Sequence, residues 1–180
     1  DDADQVQGGD TQGEPLYLLP AKGAPNRRIV TLDLGDPKAS LAGAKVAVAE
    51  RKNTVLTDFA VARDGLYVKS MRRGLDHIER MDYANHGLKP VAMPGEGSIF
   101  LMRTDPRQDG ALLSLEGWTT PRKVSRYDSA SGKLADTGLG RIGAPAHTGL
   151  GPAASERTGD EGRPVHARGV GTATVGQEGG

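Results

Sequence analysis

The chain has 180 residues, of which 23 are basic and 23 acidic, and its formal net charge of zero argues against nucleic acid or an anionic membrane as a partner. There is no cysteine, which excludes disulfides and thiol chemistry and accords with a reducing compartment; a cytoplasmic location is expected, with a periplasmic one open to a larger parent protein. No apolar run approaches the length of a membrane span, and no basic and apolar pair of segments marks a secretory signal.

Asp1–Gly13 is polar and glycine-rich, and a frayed segment is expected there. Leu16–Leu19, Ile29–Leu34 and Lys45–Val48 then read as three strands. Thr54–Val91 holds four more: Val55–Ala62, Leu66–Ser70, His77–Tyr83 and a short Leu88–Val91. Arg63-Asp64-Gly65 joins the first two of these as a hairpin signal, and Arg72–Leu75 and Asn85-His86-Gly87 turn the rest. Ser98–Leu134 repeats the pattern with Ser98–Arg103, Ala111–Glu116, Arg122–Tyr127 and Lys133–Ala135. Its breaks are turn chemistry at Asp105–Gly110, Thr119–Pro121 and Asp128–Gly132.

A four-strand meander recurring about every forty residues is the period of propeller blades. The expected fold class is therefore all-β, a partial β-propeller of two to three four-stranded antiparallel blades over residues 14–139, its first blade short of one strand. Apolar content declines from Ser98–Arg103 to Lys133–Ala135, which predicts burial falling from first strand to last. Blades two and three are expected to pack face to face, with Phe59, Val61, Tyr67, Ile99, Leu101, Leu113 and Leu115 between them.

The sharpest compositional boundary lies near Gly138. All seven aromatic residues precede it, whereas residues 140–180 have none and hold eleven of the 26 glycines. Such a segment cannot bury enough apolar area to offset its ordering entropy, so a disordered tail is expected.

Residues able to carry chemistry are scattered. A nucleophile elbow needs Gly-x-Ser-x-Gly on a strand-to-helix turn. Gly95-Glu96-Gly97-Ser98-Ile99 lacks the second glycine and opens a strand. His77, His86, His147 and His166 sit in a strand, a turn and the tail, with no fixed acid and serine beside them. No HExxH or carboxylate cluster has metal spacing, and Gly149-Leu150-Gly151 and Gly169-Val170-Gly171 lack the strand and helix of a phosphate loop. No catalytic, cofactor-binding or metal-ligating residue is therefore assigned, and no cofactor is expected. The pairs Arg27-Arg28, Arg72-Arg73 and Arg122-Lys123 read as solvated turn charges, although Arg72 or Arg73 could meet a substrate carboxylate. Trp118 and Tyr127 read as strand-end packing between blades.

Three segments in register carry a resemblance: Tyr17-Leu18-Leu19, Gly23-Ala24-Pro25-Asn26-Arg27-Arg28-Ile29-Val30, and Trp118-Thr119-Thr120-Pro121 leading to Tyr127-Asp128. Their order and spacing resemble the late propeller blades of the prolyl oligopeptidase family across roughly residues 14–139. The resemblance implies a seven-bladed propeller that caps an α/β-hydrolase domain and admits short peptides, which that domain cuts after proline. It also implies partners: the remaining blades, the hydrolase domain and short peptides. The hydrolase chemistry itself has no counterpart here.

In the family the propeller runs on into a strand carrying (S/T)-x-D-G-T-x-(V/I)-P, which is missing after Leu139. Read from the second base of each codon, Asp160–Pro164 permits Thr, Lys or Arg, Asp and Gly, and His166-Ala167 permits Thr-Pro. Out-of-frame reading of GC-rich DNA is the preferred account of this tail over a selected linker. Two functional readings follow. The first is a remnant of a prolyl-oligopeptidase-like serine peptidase, keeping gating blades and inactive alone. The second is a free-standing β-rich module that binds a peptide or protein through its blade loops. Genomic sequence on either side separates them, and the first is preferred.

Overall fold

The computed structural model describes residues 6–118 and 121–139, so the expectations for the tail, with His147 and His166, lie outside the described residues. Twelve described strands form three four-stranded antiparallel sheets in chain order. The first contains β1 (Val6–Thr11), β2 (Pro15–Pro20), β3 (Ile29–Asp33) and β4 (Lys45–Val48). The second contains β5 (Val55–Ala62), β6 (Gly65–Arg72), β7 (Leu75–Met81) and β8 (Leu88–Pro90). The third contains β9 (Ser98–Arg103), β10 (Ala111–Glu116), β11 (Lys123–Asp128) and β12 (Lys133–Asp136). This is the all-β partial propeller expected.

Turn chemistry fixes the hairpins. Between β6 and β7, Arg73 and Gly74 both have positive φ, 54° and 79°, the pattern of a two-residue turn whose twist matches the strands it joins. Between β11 and β12 the Asp128 carboxylate accepts the Ala130 N–H at 2.9 Å.

The frayed start is corrected: Val6–Thr11 pairs with β2 from Val6↔Pro20 to Thr11↔Leu16, completing the first blade. Its sequence carries almost no apolar signal. Its order comes from β2 and from the second sheet, where the Val61 N–H donates to Asp10 Oδ2 at 3.2 Å.

The second sheet lies between the other two, and two buried clusters result. One joins the first sheet to the second through Tyr17, Leu19, Ile29, Leu56, Phe59 and Val61, among others. The other joins the second sheet to the third through Tyr67, Ile78, Ile99, Met102, Leu113 and Leu115, among others. Phe59 and Val61 therefore face the first sheet, and Leu101 belongs to neither cluster, which corrects three of the seven residues expected between blades two and three.

The cause is a β-bulge in each inner strand. Leu56 pairs with Ser70 but Asp58 with Lys69, leaving Thr57 extra; Ile99 pairs with Leu115 but Leu101 with Ser114, leaving Phe100 extra. An inserted residue reverses the alternation beyond it. Met102, 4% exposed, thus takes the inward position that simple alternation gives to Leu101.

The burial gradient is corrected too. In the second and third sheets burial peaks at the second strand, since β6 and β10 are nearly continuously buried while β5 and β9 alternate. An edge strand has a neighbour on one side only, whereas β6 has strands on both sides and a sheet over each face.

Candidate functional site

The features able to interact are the seams between sheets and the outer faces of the first and third sheets. At the first seam, the Gly23–Ile29 segment folds into a latch. Ala24 is 1% exposed, and Arg27 takes a positive φ of 63°. That conformation lets the Asn26 carbonyl accept the Leu56 N–H at 3.0 Å while Arg27 Nη1 donates to the Leu56 carbonyl at 3.0 Å. The Asn26 N–H donates to Glu50 Oε1 at 2.7 Å. Arg27 is therefore a structural donor, not the solvated charge expected. At the other end of β5, Tyr17 and Tyr83 pack with ring centroids 6.0 Å apart, the Tyr83 hydroxyl donating to the Ala62 carbonyl at 2.9 Å. Burial, then the neighbouring Tyr17, pushes the Tyr83 phenol well above its ordinary value.

The second seam is polar at both ends. At one end the Arg63–Asp64 hairpin meets the Asp105–Gly110 loop. Arg63 holds Asp109 through two hydrogen bonds of 2.8 Å, a pair open to solvent that keeps the Asp109 carboxyl below its usual range. Asp64 is more enclosed: Oδ1 accepts the Gly110 N–H at 2.9 Å, Oδ2 accepts the Tyr67 hydroxyl at 2.9 Å, and Arg80 Nη1 lies 3.5 Å from Oδ2. Gly110 has a φ of 89°, and a Cβ there would collide with the Tyr127 carbonyl oxygen, so the approach requires glycine. Burial, then the bond to Asp64, pushes the Tyr67 phenol far up. At the other end Asp76 Oδ2 accepts the Ile99 N–H at 2.8 Å and pairs with Lys69 Nζ at 3.1 Å.

The outer faces carry exposed apolar side chains. On the third sheet Leu112 is 36% exposed and Phe100 60%, with the Arg122 guanidinium 4.4 Å from the Phe100 ring centroid and Arg122 Nε donating to Glu116 Oε2 at 3.1 Å. Arg122 is thus held at the sheet, another departure from a free turn charge. Trp118 is fully exposed, which corrects its placement between blades. Tyr127 is buried and packs edge-on against Tyr67 at 6.0 Å. On the first sheet Val46 is 52% exposed.

The remaining chemistry-bearing residues do not converge. Ser98 is exposed at the start of β9, opposite Glu116. His77 pairs with Ser70 across β6 and β7, and His86 is exposed in a turn with a φ of 55°. Arg72 and Arg73 are exposed at the β6–β7 turn. Among the described residues no group of His, Asp and Glu has metal-holding geometry. The hydrogen bonds that cross between sheets were not legible as a site, because their partners are 23 to 51 residues apart in sequence.

Comparison with known proteins gives consistent results. Residues 1–137 match the model of the prolyl oligopeptidase N-terminal beta-propeller domain. The chain is 24% identical over 127 residues to the prolyl endopeptidase of Elizabethkingia meningoseptica, covering 71% of this chain and 17% of that protein. It is 27% identical over 119 residues to the dual function macrocyclase-peptidase POPB of Amanita bisporigera, covering 64% of this chain and 16% of that one. The chain therefore spans about a sixth of the length of these curated relatives. Among solved structures, a prolyl endopeptidase superposes with a TM-score of 0.65 at 20% identity, covering 72% of this chain and 19% of its own. The apo form of prolyl oligopeptidase B from Galerina marginata gives 0.64 at 20% identity, covering 74% and 19%. At such identities these superpositions establish the fold.

Proposed function

The chain belongs to the prolyl oligopeptidase family, as three blades of its N-terminal β-propeller domain, and on that premise we propose that it is a gating segment of a peptidase and inactive by itself. The observation that carries this reading is the coincidence of two boundaries. The family match runs to residue 137, one residue beyond the end of β12, while the outer faces of the first and third sheets present apolar side chains of the kind that fill the two internal seams. In this reading those faces receive further blades, and the assembled ring screens peptides from a hydrolase domain that cuts them after proline.

Inactivity follows from the parts required. Acyl transfer by a serine needs a histidine base, a carboxylate that orients it, and backbone donors placed for the oxyanion. Ser98 stands at a strand start next to Glu116, and His77 lies on the second sheet beside Ser70. These positions offer no such constellation.

The test is an assay of the purified chain on a succinyl-Gly-Pro chromogenic peptide, alongside Ser98→Ala. No turnover is expected from either. Turnover that vanishes in Ser98→Ala would overturn the inactive reading, whereas turnover persisting in both would identify a contaminating peptidase.

A further inference from the structure

The second sheet carries a pocket of about 440 Å³ beside the outer half of β7, remote from the Asp64 end of the seam. Its chemistry follows from register. Ser70 pairs with His77, and Arg72 with Leu75, across β6 and β7. Paired residues share a face. Leu66 and Val68, earlier in β6, face the first sheet, so by alternation Ser70 and Arg72 do as well. Arg72, His77 and Ser70 therefore stand together on one face, and Thr54, 8% exposed, completes the polar wall.

The charges in the wall are unequally satisfied. Arg51 is engaged by Glu79 through two hydrogen bonds, and Asp76 pairs with Lys69, which lies outside the wall. Arg72 is exposed and has no hydrogen bond or ion pair among the described residues. On the face toward the first sheet, one unpaired guanidinium thus stands beside an imidazole and two hydroxyls, each able to donate a hydrogen bond, while the Asp76 carboxylate lines the pocket from the opposite face. The Glu96 carboxylate, also in the lining, is exposed, and solvent screens it. Leu75, paired with Arg72, gives that face of the pocket an apolar side, and Val91 and Met93 line the pocket from the face toward the third sheet.

We propose that this pocket binds the carboxylate of a small organic acid, the guanidinium of Arg72 taking the two oxygens, the His77 ring donating a further hydrogen bond, and the apolar body resting against Leu75 on the same face. A guanidinium fork matches a planar carboxylate. A doubly charged phosphate fits less well, because Glu79, Asp76 and Glu96 also line the pocket and only Arg72 is left unpaired to oppose it. This site is independent of the gating reading, since it needs neither further blades nor a hydrolase domain.

The probe is N-acetyl-leucine, with its uncharged amide as the control. The full 180-residue chain, labelled at histidine, is titrated with each while the His77 ring resonances are followed, assigned by their loss in His77→Gln. The acid should give a saturable shift with a Kd on the order of 1 mM, and the amide none. Arg72→Gln, at an exposed position without a partner, should keep the fold and weaken binding about tenfold or more. Equal shifts from acid and amide, undiminished binding by Arg72→Gln, or no saturable shift would each overturn the proposal.

Discussion

Asp64 and Asp109 make opposite cases of the same residue type at one end of a seam. The Asp64 side chain is 11% exposed and serves Tyr67, Arg80 and Gly110 together. The Asp109 side chain is 48% exposed and serves Arg63 across solvent. Removing one partner of an enclosed polar group strands the others, whereas water replaces an exposed partner cheaply. Asp64→Ala should therefore lower the unfolding free energy by about 3–5 kcal/mol, read from urea denaturation, because it leaves the Arg80 charge without its carboxylate and the Tyr67 hydroxyl and Gly110 N–H without their acceptor. Asp109→Ala should move the denaturation midpoint little. Comparable midpoints for the two variants would refute this account of the seam.

At the scale of the strand, the decisive devices are the bulges at Thr57 and Phe100. In β9, unbroken alternation from Ile99 directs Leu101 inward and Met102 outward. The extra residue inverts this, so Met102 joins the core while Leu101 stands beside Ser114 on the outer face. Met102→Ala should cost about 2–5 kcal/mol through the cavity it leaves, and Leu101→Ala markedly less. The reverse ranking in thermal unfolding would show that β9 runs without a bulge. Strand positions were legible from apolar runs and turn residues, and Val55–Ala62, Lys45–Val48, Ser98–Arg103 and Ala111–Glu116 match their predicted bounds. The bulges were not legible, since an extra residue changes neither composition nor turn chemistry. Only the partner strand's register reveals it.

At the scale of the molecule, among the described residues no further sheet packs against the outer faces of the first and third blades. Val46 on one and Phe100 and Leu112 on the other expose apolar surface of the kind that marks interaction sites, and Trp118 adds a fully exposed aromatic beyond the end of β10. The purified chain should self-associate at micromolar concentration, as seen by light scattering coupled to size exclusion. Leu112→Lys, together with Val46→Lys, should shift the population toward monomer. A monodisperse monomer for the parent chain would show that these faces are not adhesive. The same two faces are what the gating reading assigns to neighbouring blades.

Tyr67 illustrates what sequence settled and what it left to tertiary structure. Its place in a β-rich run after Arg63-Asp64-Gly65 marked it as a strand residue facing a core, and the forty-residue repeat placed that strand in a blade. Local propensity and turn geometry act over a few residues, so a single sequence displays them. Which sheet each core residue faces, that Val6–Thr11 forms a strand at all, that Trp118 stays in water, and that Asp64 meets Gly110 were decided in three dimensions. Each depends on a partner segment brought alongside from elsewhere in the chain, and the free energy of such a contact is a property of the pair, which neither segment carries alone.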